Sequence, residues 1–256
     1  MNETIRAIDL LGGIGASVVR ADRRDHPIFW FIDAISINLP PSHPDYASLQ
    51  ADTTGASVET GDELRFSLDT GELVSGYLKV PELNEEWTAW KPCLESLRLE
   101  SGALVLRDKD PFILPQTHIR VFDPGGGILV CVMRHAHPSD IDSRCEVLPG
   151  FSILSSDGQY IGWALDEPVK RLCSSVEELA PVTSGAGNGS HEAETRALVR
   201  LFGLINESTM DELYEGSDAL AARLAELGVA VRSEGDSLGL QAIYARIEKL
   251  YEWWFE

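Results

Sequence analysis

The first two thirds of the chain alternate apolar and polar residues over short runs, a pattern typical of β-strands. Three segments predict β-hairpins, because two such runs flank a turn rich in Asp and Gly. These segments are residues 56–80, 117–133 and 151–165, with turns at 69–71, 123–127 and 157–158. A fourth hairpin is predicted around Ser101-Gly102. Together the runs predict about ten strands in an antiparallel sandwich or partly open barrel.

Two segments carry other patterns. The run IFWFIDAISI, residues 28–37, is rich in aromatic and β-branched residues on both faces, which predicts one central strand covered on both sides. Residues 4–11 place Ile5, Ile8 and Leu11 three apart. This spacing predicts a short helix that ends at Gly12-Gly13.

From His191 onward the apolar residues recur at three- and four-residue steps, which predicts helices. The apolar stripe of the first helix consists of Ala197, Leu198, Leu201, Phe202 and Ile205. A later helix is predicted to begin at Ser217 and end at Gly228, with residues 229–233 as a short strand. The last helix is predicted to start near Asp236 and run almost to residue 256.

The segment GAGNGS within residues 183–190 contains only small and polar residues, which is typical of a flexible linker. We therefore predict an α+β protein with a β-rich domain at residues 1–182, a linker at 183–190 and a small helical C-terminal region at 191–256.

The net charge is −20, from 41 acidic and 21 basic residues. A surface this negative repels phosphate backbones and anionic lipids, so we expect no nucleic-acid or membrane partner. Division at Ser184 leaves 13 acidic and 6 basic residues in the C-terminal part, a net charge of −7, and −13 before it. The charge is thus spread along the chain, and it favours a basic protein as partner.

Four widely spaced cysteines, without a Cys-x-x-Cys pair, argue against a zinc ribbon and a thioredoxin-type motif. No apolar run approaches about 18 residues, and no secretory pattern is present at the N-terminus. We predict free, mostly buried thiols and a cytoplasmic location.

The segment after the apolar run ILVCV contains the largest group of side chains that could take part in catalysis or metal binding. His135 and His137 are two residues apart, so both imidazoles would point the same way on extended backbone, with Asp140 nearby. The pattern is similar to the His-x-His-x-Asp-His run of metallo-β-lactamases, although here Asp140 follows His137 by three residues and Ile141 stands where a further histidine would be expected. Cys145, beside Arg144, is a candidate nucleophile for a Cys-His pair.

The segment VCVMRHAHP also resembles the strand and Arg-His pair of histidine phosphatases, and SHEAETRALVRLFGL resembles the segment around that family's second histidine, here His191. These resemblances imply a metal-dependent or phosphatase-like hydrolase centred on His135 and His137. We keep this hydrolase as the alternative, without a predicted cofactor.

The C-terminal helix ends in the aromatic sequence YEWWF. Tyr251 and Trp254 continue the apolar stripe of the helix, whereas Trp253 and Phe255 fall outside it, which is typical of a contact surface. Because no complete catalytic set is found, the favoured prediction is a non-enzymatic accessory, inhibitor or immunity-type component. It would bind another protein through its acidic surface and Tyr251, Trp253, Trp254 and Phe255.

Overall fold

The computed structural model describes residues 3–10, 14–21, 25–55, 62–107, 112–173 and 191–255. Within these residues the chain forms fifteen strands and six α-helices. The strands are β1 Thr4–Asp9, β2 Gly15–Val19, β3 Ile28–Trp30, β4 Ala34–Ile37, β5 Thr53–Gly55, β6 Glu63–Ser67, β7 Leu73–Lys79, β8 Leu83–Asn84, β9 Leu99–Ser101, β10 Ala103–Leu106, β11 Ile119–Phe122, β12 Ile128–Val132, β13 Ser143–Leu148, β14 Phe151–Ser156 and β15 Gln159–Asp166. The helices are α1 Tyr46–Ala51, α2 Trp87–Ser96, α3 Glu192–Leu204, α4 Glu207–Tyr214, α5 Asp218–Glu234 and α6 Leu238–Phe255.

The strands form two sheets. In the ten-stranded sheet, one path runs β10-β2-β1-β15-β12-β11-β8, while β14 pairs with β15 and β13, and β13 also pairs with β9. The five-stranded sheet has the order β3-β4-β7-β6-β5. Most pairs are antiparallel, and the parallel ones are β1 with β15, β8 with β11 and β9 with β13. With the helices mostly after residue 190, this arrangement confirms the predicted α+β class.

Three of the four predicted hairpins are confirmed: β6 with β7, β11 with β12, and β14 with β15 are antiparallel neighbours. In the last of these, Asp157 and Gly158 have φ of 48° and 74°, as a type I′ turn requires. The prediction of a hairpin around Ser101-Gly102 is wrong, because β9 pairs with β13 and β10 pairs with β2. A single residue, Gly102, separates the two strands, so the chain continues extended and changes partners.

Two further predictions are wrong. Residues 4–11 contain strand β1 rather than a helix, and an irregularity in its pairing with β2 between Thr4 and Arg6 disturbs the alternation. Residues 28–37 form the hairpin β3–β4 rather than one strand. The chain reverses at Ile32, whose φ is 72°. This conformation is a rare outlier for a β-branched residue, so the sequence gives little sign of it.

The helices follow the predicted stripes, with two differences. Helix α5 passes through Gly228 and continues to Glu234, so the predicted end and the strand at 229–233 are wrong. Helix α2, which contains Pro92, was not predicted. The predicted linker at 183–190 lies outside the described residues. None of the described helices combines the length and apolar character needed to cross a lipid bilayer.

The helices share a hydrophobic core with the strands. One cluster of buried side chains includes Trp30 of β3 and Leu129 of β12 together with Leu198 of α3 and Ile243 of α6. A second, smaller cluster packs Trp90 of α2 against β11 and β12. The C-terminal helices are therefore packed directly on the sheets.

A buried arginine fastens helix α3 to the sheet. Arg120 of β11 donates hydrogen bonds to the side-chain oxygen of Asn84, at 2.7 Å, and to the carbonyl of Ile205, at 2.9 Å. Its guanidinium also lies over the Phe202 ring, 3.8 Å from the centroid. Burial lowers the pKa of Arg120 to about 10, so the side chain remains charged at neutral pH. It thereby provides a donor for the carbonyl of Ile205, the residue at the C-terminus of α3.

Candidate functional site

A polar cleft opens where the two sheets meet helices α4 and α6. We call it the mixed-charge cleft, and its cavity measures about 450 Å³. It is lined by Asp33, Tyr77, Lys79, Val80, Pro81, Glu82, Leu83, Gln116, Thr117, His118, Arg134, Glu207, Met210 and Arg246. Small-molecule sites are concave and contain a few convergent polar groups, usually within a mainly apolar lining. This cleft is concave but has a more polar lining.

Two ion pairs orient the arginines of the cleft. Arg246 of α6 lies 2.9 Å from the carboxylate of Asp33, in the β3–β4 turn. Arg134, after β12, lies 3.3 Å from the carboxylate of Glu207 at the start of α4. Each pair joins a helix to the β-rich part of the chain, so the cleft is bounded by both.

Four other side chains of the cleft can donate hydrogen bonds. The side chains of Tyr77, Lys79, Gln116 and His118 make no hydrogen bond or ion pair within the described part of the chain. Burial, with the nearby charge of Asp33, raises the pKa of Tyr77, so its hydroxyl stays protonated at neutral pH. The cleft therefore presents a group of unused donors.

A buried carboxylate, Asp62, lies behind the cleft and contacts two of its lining residues. Asp62 is fully buried, and its oxygens accept the backbone N–H of Lys79 at 2.8 Å and that of Thr117 at 3.3 Å. Burial raises the pKa of Asp62 to about 6, although these hydrogen bonds act in the opposite direction. Asp62 thus fixes the cleft wall from inside, where β7 meets the segment leading to β11.

The β3–β4 turn brings backbone strain to the edge of the cleft. Ile32 has positive φ and is nearly fully buried, and the next residue, Asp33, projects to Arg246. Strained conformations of this kind are found preferentially at functional sites.

A second concave surface lies between α5 and α6, which are joined by residues 235–237 as a helical hairpin. We call it the α5–α6 groove, with a cavity of about 340 Å³. It is lined by Ala225, Gly228, Val229, Arg232, Tyr244, Ile247, Glu248, Tyr251 and Glu252. Val229 is 71% exposed although it is fully apolar.

The structure separates the predicted aromatic contact residues. Tyr251 lines the α5–α6 groove. Trp253 is 59% exposed and lies on another side of α6, with its ring 4.5 Å from the Lys249 ammonium and 5.7 Å from the guanidinium of Arg246. The side chains of Trp254 and Phe255 lie outside the described residues.

The structure places the predicted histidine site on an exposed loop after β12. His135 and His137 are both exposed. The Nδ1 atom of His137 lies 2.8 Å from the hydroxyl of Ser139, which donates to Asp140 at 3.2 Å, so these groups cap the 3-10 turn Pro138–Asp140. Among the described residues, no group of three or more His, Cys, Asp or Glu side chains could hold a metal ion.

Cys145 lies apart from this loop, inside strand β13. It is fully buried, and its thiol lies 3.5 Å from the carboxylate of Glu100. Burial and the Glu100 charge raise the pKa of Cys145 to about 12, so the group is a thiol rather than a nucleophilic thiolate at neutral pH. All four cysteines are free, as predicted, with Cys131 and Cys145 buried and the other two partly buried.

Sequence reasoning missed the mixed-charge cleft. Its residues come from segments near positions 33, 77–83, 116–118, 134, 207–210 and 246, and no local motif joins them. The one sign available in the sequence was the position of Arg134 beside the histidines, and its partner in the structure is Glu207 rather than a histidine-centred site.

No protein-family model matches the chain, and no curated protein sequence matches it significantly. We therefore base the proposed function on the geometry of the described residues.

Proposed function

We propose that this chain is a non-enzymatic binding protein whose α5–α6 groove receives a basic, amphipathic segment of another protein. The observation that carries the proposal is the exposed apolar wall of this groove. Val229 is largely exposed and projects from α5 into the same groove as Tyr244 and Tyr251 of α6, so an unprotected aliphatic side chain lies beside two partly buried aromatic rings. Aromatic residues in a concave setting are typical anchors of protein interfaces.

The shape of the groove supports insertion of a partner side chain. Gly228 lies in the middle of α5, and a Cβ atom there would be 3.5 Å from the Tyr244 ring and 3.6 Å from Ile247. A larger residue is thus sterically possible, yet glycine leaves the groove deeper at this point.

The charge around the groove supports a basic partner. Glu248 and Glu252 line it, and the single arginine of its lining, Arg232, is 3.2 Å from Glu248 and lies over the Tyr244 ring. With the net charge of −20, this distribution attracts a cationic segment and speeds its association. In this proposal the protein acts in the cytoplasm as an accessory or inhibitor, with its free thiols reduced.

The test uses a synthetic amphipathic helical peptide of Leu and Lys, labelled for fluorescence anisotropy, and the same peptide with Glu in place of Lys. We expect saturable binding of the Lys peptide alone. Val229→Asp should weaken it about tenfold, because a carboxylate would replace the apolar wall. Simple charge attraction predicts the opposite sign, since this variant makes the protein more negative.

The matched control is Val199→Asp on α3, where the valine is 41% exposed and outside the groove. This variant adds the same charge and should leave binding unchanged. Equal loss in both variants, no effect of Val229→Asp, or equal binding of the two peptides would refute the proposal. In cells that naturally make this protein, a photo-cross-linking residue at position 229 should capture a partner protein through a segment rich in Lys and Arg. The same residue at position 199 should not.

A further inference from the structure

We propose that the mixed-charge cleft binds a small organic anion, in which a carboxylate or phosphate group is attached to an apolar body. This site is distinct from the α5–α6 groove, and the proposal is independent of the function proposed for that groove. It depends on the balance of donors and acceptors, on the charges and on the apolar lining of the cleft.

The donors of the cleft exceed its available acceptors. The side chains of Tyr77, Lys79, Gln116 and His118 make no hydrogen bond or ion pair within the described residues, and each can donate to an oxyanion. The guanidinium groups of Arg134 and Arg246 use some of their five N–H donors in the ion pairs, and others remain for a ligand. A ligand rich in acceptors would therefore satisfy the cleft.

The carboxylates of the cleft are each set against an arginine. Asp33 pairs with Arg246 and Glu207 pairs with Arg134. The third carboxylate, Glu82, acts electrostatically on the buried Arg120. Burial lowers the pKa of Arg120, and the charge of Glu82 raises it. The ammonium of Lys79 is exposed and makes no ion pair among the described residues, although its charge lowers the pKa of the buried Asp62 behind it. It can therefore meet a ligand, in a protein whose net charge is strongly negative.

The apolar lining defines the rest of the ligand. Val80, Pro81, Leu83 and Met210 contribute to the same cavity. A volume of about 450 Å³ accommodates more than an inorganic ion. A ligand with an oxyanion at one end and an aliphatic or aromatic group at the other would contact both types of lining.

The experiment is isothermal titration of the full chain with three probes of similar shape: 3-phenylpropanoate, 2-phenylethyl phosphate and neutral 3-phenylpropanamide. We expect the carboxylate, the phosphate or both to bind with 1:1 stoichiometry, and the amide not to bind. The stronger of the two anions shows which headgroup the cleft prefers.

Lys79→Gln removes the exposed ammonium and should weaken anion binding about tenfold, since one charge-assisted hydrogen bond is lost. The matched control is Lys91→Gln on α2, which removes an exposed lysine outside the cleft and should leave binding unchanged. Val229→Asp should also have no effect, which separates this site from the groove. Absence of binding for all three probes, equal binding of the amide, or equal affinity of the Lys79 and Lys91 variants would overturn the proposal.

Discussion

Replacing Asp62 by Asn should change how the stability of the protein depends on pH. The Asp62 carboxylate is fully buried, and its pKa is raised from 3.8 to about 6. Well below pH 4 the group is protonated in both the folded and unfolded states and has no net effect. As pH rises from about 4 to 6, the unfolded chain loses this proton first, so stability is lost over that interval and stays lower above it.

The magnitude follows from the shift. A difference of about 2 pKa units at about 1.4 kcal/mol each gives a penalty of about 3 kcal/mol at neutral pH. Asn has almost the same shape and no ionisation, and its amide oxygen can still accept the backbone N–H of Lys79. Its free energy of unfolding should therefore rise relative to the natural protein by about 3 kcal/mol between about pH 3 and pH 7.5.

The assay is urea unfolding monitored by tryptophan fluorescence at several pH values. At each pH, the free energy of unfolding of the natural protein is subtracted from that of the variant. The subtraction removes the contribution of the other carboxylates, and any cost of the weakened Thr117 contact remains as an offset that does not change with pH. Asp69→Asn, in the exposed β6–β7 turn, removes the same charge and should give a flat difference. A flat difference for Asp62→Asn, or one of opposite sign, would show that the buried carboxylate carries no such penalty.

Two further substitutions test the helices. Gly228→Ala should stabilise α5 by about 1 kcal/mol in thermal or urea unfolding, because the new Cβ meets only ordinary contacts. Gly203→Ala in α3, with nothing within 4 Å of its Cβ, should give a similar gain, but only the Gly228 variant should weaken peptide binding in the groove. Arg120→Met should lower the free energy of unfolding by about 2 kcal/mol or more, since the carbonyl of Ile205 loses its donor. The exposed Arg223→Met serves as control, with a change within about 0.5 kcal/mol, and an equal effect of both would contradict the role of Arg120.

Periodicity and turn chemistry predicted the class and three hairpins, because these depend on local residues. The β14–β15 turn is an example, since Asp157-Gly158 accepts positive φ at both positions. The stripe of α6 was also predictable, and its Leu240, Ile243 and Ile247 are buried as expected.

The errors arise where tertiary structure overrides the local pattern. In β1, an irregular pairing lets Ile5 and Ile8 both reach the core three residues apart, which imitates a helix. In the β3–β4 turn, Ile32 adopts a backbone conformation that a sequence pattern does not announce. Gly228 suggested a helix end, but packing of Leu227 and Val231 in the core continues α5 beyond it.

The candidate sites likewise differ in whether local sequence reveals them. The aromatic end of α6 was visible in sequence, although Tyr251 and Trp253 lie on different sides of the helix. The mixed-charge cleft was not visible, because its ion pairs join residues more than 70 positions apart, such as Arg134 and Glu207.

The position of β1 has a consequence for the synthesis of the chain. One edge of β1 pairs with β2, which emerges next, but its other edge meets β15 at Gln159, 150 residues later. At ordinary translation rates this corresponds to a delay of roughly 8 to 30 s. During that interval the hydrogen-bonding edge of β1 that meets β15 is open, so we expect unassisted refolding to be slow and sensitive to concentration.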